Sequence, residues 1–401
     1  MMRISRSQFL PIGVDLGFDS VKLLQLEQQP GSLAVASAVR LSMPEDAPRD
    51  PTERLPVAVG LVRQALEQHH FHGRKVICTL PREIAHVKNL RLPPMPLDEL
   101  GSAVQFEAQT AFPFDVDRAA IRFLPAGEVR SNQDVRQEVL VVGVKNDDLL
   151  QFLEQIHHSG AQVDSLDFEP CALYRLVDRF IRRKSDEQEV NVILDVGARR
   201  SQIVIGRGRE ISFYKSIEIG GLHLNTAVAE KLGITVSEAK ALRRKINDRS
   251  GLEPDVKGKE TDADPVDQAV QDATRARVED LAREVSLCVR YYLVTFRGHR
   301  PHRVRLVGGE AADSQLRETL NAALTIPVEA SRPLLSVDTR KMNAGDRRGF
   351  MSEWGIALGL AMKRYNGALA PMDGIPRSLQ RASGEEAPQA EQPAREEVAG
   401  A

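Results

Sequence analysis

Short apolar runs broken by glycine- and proline-containing turns open the chain. "PIGVDLG", "VKLLQLEQ" and "LAVASAVRLSM" read as three strands, separated by the turn signals "GFDS" and "QQPGS". Leu55, Val59, Val62 and Leu66 then recur at helical spacing, which predicts a helix from about Pro51 to His70. "RKVICTLP" and "IAHVKNLRL" read as strands, "PPMP" breaks the chain, and "LDELGSAVQFEAQTA" reads as a helix. "AAIRFLPAG" and "QEVLVVGVK" are strands around a polar turn. "NDDLLQFLEQIHHSGAQ" reads as a helix opened by an Asn or Asp cap and ended at Gly160. Its apolar stripe, "LLQFLEQI", is expected to pack on the sheet of a small α+β module. That module is expected to span residues 81–167, inserted in a larger domain.

The pattern restarts at Val190. "VNVILDVGARRSQIVIGRGREISFYKSIEI" is again three short strands with turns. Aligned on its Asp-x-Gly, "LDVGARRSQIVIG" repeats "VDLGFDSVKLLQL", with Asp195 on Asp15 and Gly197 on Gly17. The pattern predicts an α/β fold with two similar lobes facing a cleft, a favoured place for a ligand. After Gly220 and Gly221, "LHLNTAVAEKLG" and "TVSEAKALRRKIN" read as helices, residues 248–271 as a mobile polar loop, and about Thr274 to Arg297 as a long helix. "RVRLVGGEAADSQLRETLNAAL" reads as strand, glycine turn and helix, and "SEWGIALGLAMKRY" as the last helix.

This divides the chain as follows. Residues 1–10 are an N-terminal extension. The first lobe is residues 11–80, completed by about 168–189 and 340–368, with the module at 81–167. The second lobe is residues 190–225 and 298–339, carrying a helical subdomain at 226–297. Residues 369–401 are expected to be a disordered acidic tail.

Composition narrows the class. The 401 residues are 42% hydrophobic, enough for sizeable cores, and the formal net charge of -2 gives no pull toward nucleic acid or anionic lipid. Cys78, Cys171 and Cys288 lie far apart without a CxxC pair, which fits reduced, buried thiols. No run of about 18 apolar residues exists, and the basic N-terminus lacks a long apolar core before Pro11. Neither a signal peptide nor a membrane span is therefore expected. His69, His70 and His72 lack a Cys or carboxylate to complete a metal set. The run Arg297 to Arg305 reads as a basic helix end and loop, and Trp354 as core.

The chemistry sits in the turns. In an Asp-x-Gly turn, glycine removes the Cβ and lets backbone N–H groups approach an anion, while the Asp can hold Mg²⁺ through water. Two such turns facing each other could grip a polyphosphate from both sides. Gly308 and Gly309, in "VRLVGGEA", end a strand where a turn can pass beneath a nucleotide.

"IGVDLGFDSVKLL", "VILDVGARRSQIVI" and "RLVGGE", in this order, resemble the phosphate-1, phosphate-2 and adenosine motifs of the actin-like ATPase superfamily. "DFEPCALYRL" and "WGIALGLAM" look like its two inter-lobe connecting helices. More narrowly, "TLPREIAHVKNLRLPPMPLDELGSAVQFEAQTAFPFDVD" and "IEIGGLHLNTAVAEKLGITVSEAKALRRK" resemble the PilM family of type IV pilus assembly. The resemblance covers about Pro11 to Arg364.

It implies a duplicated actin-like (ribonuclease H-like) bilobal fold, similar to FtsA, with ATP and Mg²⁺ in the cleft. Asp15, Gly17 and Lys22 would lie by the phosphates, with Asp195, Gly197 and Ser201 opposite. Asp15 and Asp195 would hold the metal, Gly308 and Gly309 would underlie the adenosine, Arg243 would contact the nucleotide, and Glu169 would orient the attacking water. The implied partner is a PilN-like inner-membrane protein, bound through its short N-terminal cytoplasmic tail by the module and its neighbouring lobe. Other pilus assembly proteins and motor ATPases would be indirect partners, and self-association is also implied. The implied place is cytoplasmic, peripheral to the inner membrane, with no direct membrane insertion.

Several positions depart from the pattern. Phe18 adds bulk to the first turn, and Asp19 adds negative charge. Like charges at about 4 Å repel by roughly 4 kcal/mol at an effective dielectric near 20. Arg199 and Arg200 replace small residues and could offset that charge or contact phosphate. Glu310 follows the Gly pair, and Lys240 stands where the family has a ribose-contacting Glu. The reading is thus a nucleotide-binding scaffold with weak or no ATPase activity. A small-molecule kinase and an FtsA-like filament-forming division protein are the alternatives. The kinase lacks a distinctive Asp set in its insertion, and the division protein lacks a C-terminal amphipathic anchor.

Overall fold

The computed structural model describes residues 8–29, 32–131, 134–250, 264–296, 299–347 and 349–365. The extension before residue 8 and the acidic tail lie outside them, as does the core of the predicted loop, residues 251–263.

The first lobe is built on strands β1 (Gln8–Phe9), β2 (Ile12–Leu16), β3 (Ser20–Gln29) and β4 (Ser32–Ser42). Helix α1 (Pro51–Gln68) follows, opened by Asp50, whose carboxylate accepts from the Thr52 and Glu53 N–H groups. Strand β5 (Lys75–Thr79) leads into the module: β6 (His86–Leu92), α2 (Leu97–Ala111), β7 (Ala119–Ser131) and β8 (Asp134–Lys145). Then come α3 (Asn146–His158), β9 (Gln162–Asp167) and α4 (Glu169–Asp178). The second lobe holds β10 (Val190–Val196), β11 (Ser201–Arg207), β12 (Glu210–Ile217), α5 (Gly221–Leu232), α6 (Val236–Ser250) and α7 (Pro265–Thr295). It ends with β13 (Val304–Val307), α8 (Ser314–Ala323) and β14 (Val328–Ala330); β15 (Val337–Asp338) and α9 (Gly355–Ala361) return to the first lobe.

The two main sheets repeat one topology. The first runs β4-β3-β2-β5-β9 and the second β12-β11-β10-β13-β14. In each, the first three strands are antiparallel and the last two join in parallel. The duplication extends to register: Asp15 lies opposite Lys22 across β2 and β3, and Asp195 opposite Gln202 across β10 and β11. The central strands are buried on both faces, which explains their near-continuous apolar runs.

Helices α4 and α9 lie between the lobes, at the centre of one core cluster. Leu24, Leu26 and Val35 of the first lobe and Ile193, Val204 and Tyr214 of the second meet there on Leu173, Tyr174, Trp354 and Leu358. Trp354 is fully buried, as its apolar setting predicts. A Cβ on Gly359 would collide with the Ala172 carbonyl, and one on Gly13 with that of Ala357. The two connecting helices therefore touch backbone to backbone, and α9 lies directly on β2.

Several sequence expectations need correction. The module ends at Lys145, not at residue 167: β9 pairs with β5 in the first-lobe sheet. Helix α3 packs Phe152 and Ile156 onto Val59, Val62 and Leu66 of α1, not onto the module sheet β6-β8-β7. Its N-cap is Lys145, without a side-chain cap bond. Helix α7 begins at Pro265, behind the cap Asp264, so the segment read as a loop over 248–271 is helical at both ends. Strand β15 pairs with β4, so the chain has rejoined the first lobe by Val337, before residue 340. At the other terminus, Gln8 and Phe9 extend the first sheet by pairing with β3.

Candidate nucleotide cleft

Strand alternation places the two aspartates. Lys22 Nζ donates to Asp15 Oδ2 at 2.9 Å, and both residues are buried. Burial alone lowers the Lys22 pKa; attraction to Asp15 and Glu353, with the Asp15 hydrogen bond, outweighs it and the net shift is upward. On the other side, Gln202 Nε2 donates to Asp195 Oδ2 at 3.0 Å and to Glu169 Oε2 at 3.2 Å. Gln202 was not picked out by sequence reading, although it falls on Lys22 when the two turns are aligned. Its buried Oε1 accepts no hydrogen bond from the protein.

Three carboxyl groups converge here. Burial pushes Asp195 up to about 6; Asp15 adds to the shift, while the Gln202 hydrogen bond and Lys22 oppose it. Burial pushes Glu169 up to about 7, against the attraction of Arg200 and Arg82 and with the repulsion of Asp195 and Asp15. Gln202 bridges Asp195 of the second turn and Glu169 of α4, and Asp15 of the first turn repels both.

The glycines allow the close approach. A Cβ on Gly17 would stand 2.7 Å from the Ser20 carbonyl, and one on Gly197 3.0 Å from that of Arg200. Gly308 has φ +94°, and its Cβ would lie 2.5 Å from both Asp195 Oδ1 and the Val196 carbonyl. The third motif thus packs directly against the second. Gly309 meets no such constraint. The N-terminus of α5 joins the same place: Gly221 N–H donates to the Gly197 carbonyl at 3.0 Å, and a Cβ on Gly220 would strike the backbone of Arg199 and Arg200.

The departures of the first turn have partners. Phe18 lies under the Arg54 guanidinium, 4.2 Å from ring centroid to Cζ. Arg54 also donates to the carbonyls of Phe18, Ala47 and Pro48. Asp19 is paired with Lys240 of the second lobe at 2.8 Å, which offsets the negative charge it adds to the turn. Arg200 faces Glu83 at 3.8 Å, and Arg82 donates to the Tyr214 hydroxyl.

Two expected ligand contacts are otherwise engaged. Ser201 is fully buried and donates its hydroxyl to the Ile219 carbonyl at 2.7 Å, which ties the turn to the chain leaving β12. Arg243 is buried and donates to Asn225, Glu310 and Asp313, each at 2.7 Å. These bonds tie together the segments around the two turns. Among the described residues no group of three or more His, Cys, Asp or Glu side chains is arranged to hold a metal. The pair Asp15 and Asp195 nevertheless suits a hydrated Mg²⁺, which needs few protein ligands, and a cation there would lower the raised Asp195 pKa.

Two repeated α/β lobes, hinged by a pair of buried helices around facing Asp-x-Gly turns, define the actin-like class of fold. The chain belongs to the PilM family: the family model described as type IV pilus assembly protein PilM matches residues 13–257, more than half of the chain. A solved PilM–PilN type IV pilus biogenesis complex has 19% sequence identity and a TM-score of 0.69, covering 90% of this chain and 99% of that one. The ethanolamine utilization protein EutJ from Carboxydothermus hydrogenoformans has 14% identity and a TM-score of 0.49, covering 88% of this chain and 89% of that one. MreB 5 of Spiroplasma citri, bound to AMPPNP, has 10% identity and a TM-score of 0.47, covering 88% and 95%. No curated protein matches the sequence significantly. Among the described residues no helix is long and apolar enough to cross a membrane.

Proposed function

We propose that this protein is an actin-like scaffold of type IV pilus assembly that binds the short cytoplasmic tail of a PilN-like inner-membrane protein. Family membership, together with a likeness that spans 99% of the PilM chain solved with PilN, carries this reading. The module supplies a suitable surface: β6 is an outer strand of its sheet, and Phe106 of α2 is 70% exposed. An outer strand can take up an extended peptide, and an exposed aromatic residue of the same module can hold an apolar side chain. Through that tail the protein would lie at the inner membrane without entering it.

The cleft is read as an adenine-nucleotide site. Asp15, Gly17, Lys22, Asp195, Gly197 and Gly308 would hold Mg²⁺ and the phosphates, and bound MgATP would supply a polyanion gripped by both lobes. Glu169 and Gln202 would hold water near its terminal phosphate. The test is titration of the full chain with a synthetic PilN-type tail peptide, with and without MgATP. Absence of peptide binding in both conditions would sink the scaffold reading.

A further inference from the structure

The cleft carries its own anion. Glu310 follows the glycine pair, and its backbone N–H donates to the Val196 carbonyl, which brings it beside the second Asp-x-Gly turn. Its carboxylate lies over Gly221, the first residue of α5, where a Cβ would overlap Oε1. Glycine at 221 is what admits this side chain. The other oxygen, Oε2, accepts from Arg243 at 2.7 Å. A carboxylate thus rests against a helix N-terminus and on a buried guanidinium, a setting that suits an anionic ligand.

Arg243 does not need Glu310 for charge balance. Asp313 already pairs with it at 2.7 Å, and Asn225 satisfies a further donor at 2.7 Å. The Glu310 charge is therefore surplus in this cluster of one cation and two carboxylates. A polyphosphate gripped between Gly17 and Gly197 would meet it at the α5 end of the cleft.

We propose that Glu310 is an internal competitor for this subsite, so that a nucleotide must displace or tolerate its carboxylate to enter. The inference rests on the nucleotide reading given above. It makes Glu310 a specificity-determining residue, which discriminates against the more highly charged ligands.

The experiment is calorimetric titration of the full chain with MgATP and with adenosine, for wild type and Glu310→Gln. The glutamine keeps the shape and removes the charge, and Arg243 keeps Asp313. The variant is expected to bind MgATP at least about tenfold more tightly, with little change for uncharged adenosine. Glu310→Ala, which also leaves the Arg243–Asp313 pair intact, should reproduce the gain. Equal, measurable MgATP affinity in wild type and both variants would overturn the competitor role and leave the nucleotide reading standing. An equal gain for adenosine and MgATP would also overturn it, since the obstacle would then be bulk and not charge. No binding by wild type or either variant would overturn both.

Discussion

At the residue scale, the second Asp-x-Gly turn stores unfavourable charge. Asp195 is buried, and its pKa of about 6 lies above the value near 4 of an unfolded Asp. The folded state therefore holds a proton that the unfolded state has already released between these values, and stability falls as pH rises from about 4 to 6. By about pH 7, a unit above the folded value, the loss is complete. Asp195→Asn removes it and should stabilise the protein at pH 8 by about 2 kcal/mol, while making little difference at pH 4. Thermal melts of both proteins across this range check the sign. The first turn differs in carrying its own cation, since Asp15 is paired with Lys22. Lys22→Met leaves a buried carboxylate without its partner and should cost about 3–5 kcal/mol in denaturant unfolding at pH 7. The same Asp-x-Gly string thus produces one neutralised and one strained site, and the residue seven positions on decides which.

At the scale of elements, the inserted module should be separable along the boundary that the sheets draw. Replacing residues 86–145 by a short Gly-Ser linker removes the module sheet and α2 but keeps β5, α3 and β9 together. That variant is expected to unfold cooperatively and to lose tail-peptide binding. Removing residues 81–167 also strips the edge strand β9 and uncovers Val59, Val62 and Leu66, so it should not fold. Circular dichroism with urea titration distinguishes the two. Sequence reading could not see this boundary, because the stripe of α3 states that one face is apolar and not which sheet receives it. The three-strand runs around Asp15 and Asp195 were legible since their register is local. The bounds of α2 were legible too, because a proline break precedes it. The start of α7 was hidden: its first turns are mostly polar, and Asp264 with Pro265 was a cap signal lost in a charged run. The protein contacts of Ser201 and Arg243 were hidden for a related reason. A motif gives residue type at a position, while the Ile219 carbonyl and the Glu310 and Asp313 carboxylates that engage them come from distant segments.

For the whole molecule, two side-chain contacts among the described residues join α6 to the first lobe. Lys240 of α6 pairs with Asp19 at 2.8 Å, and the Ser237 hydroxyl donates to Glu45 at 2.6 Å. Both link the helical subdomain of the second lobe to the first lobe, whose joint core is formed by α4 and α9. All four groups are at least partly exposed, so each contact contributes at most about 1 kcal/mol. That is far too little to hold the fold, which the buried helix pair and its core do. It is enough to set a balance between closed and open clefts, since about 1.4 kcal/mol changes such a ratio tenfold. The double variant Lys240→Ala, Ser237→Ala is therefore expected to keep the melting temperature within a few degrees of wild type. Spin labels on the two lobes should then show a broader and longer distance distribution than in wild type. Raising ionic strength toward 1 M, where the screening length shrinks to about 3 Å, should move wild type part of the way in the same direction, because only the ion pair is salt-sensitive. An unchanged distribution in the double variant would mean that hinge packing alone fixes the lobe angle and that the two contacts are incidental.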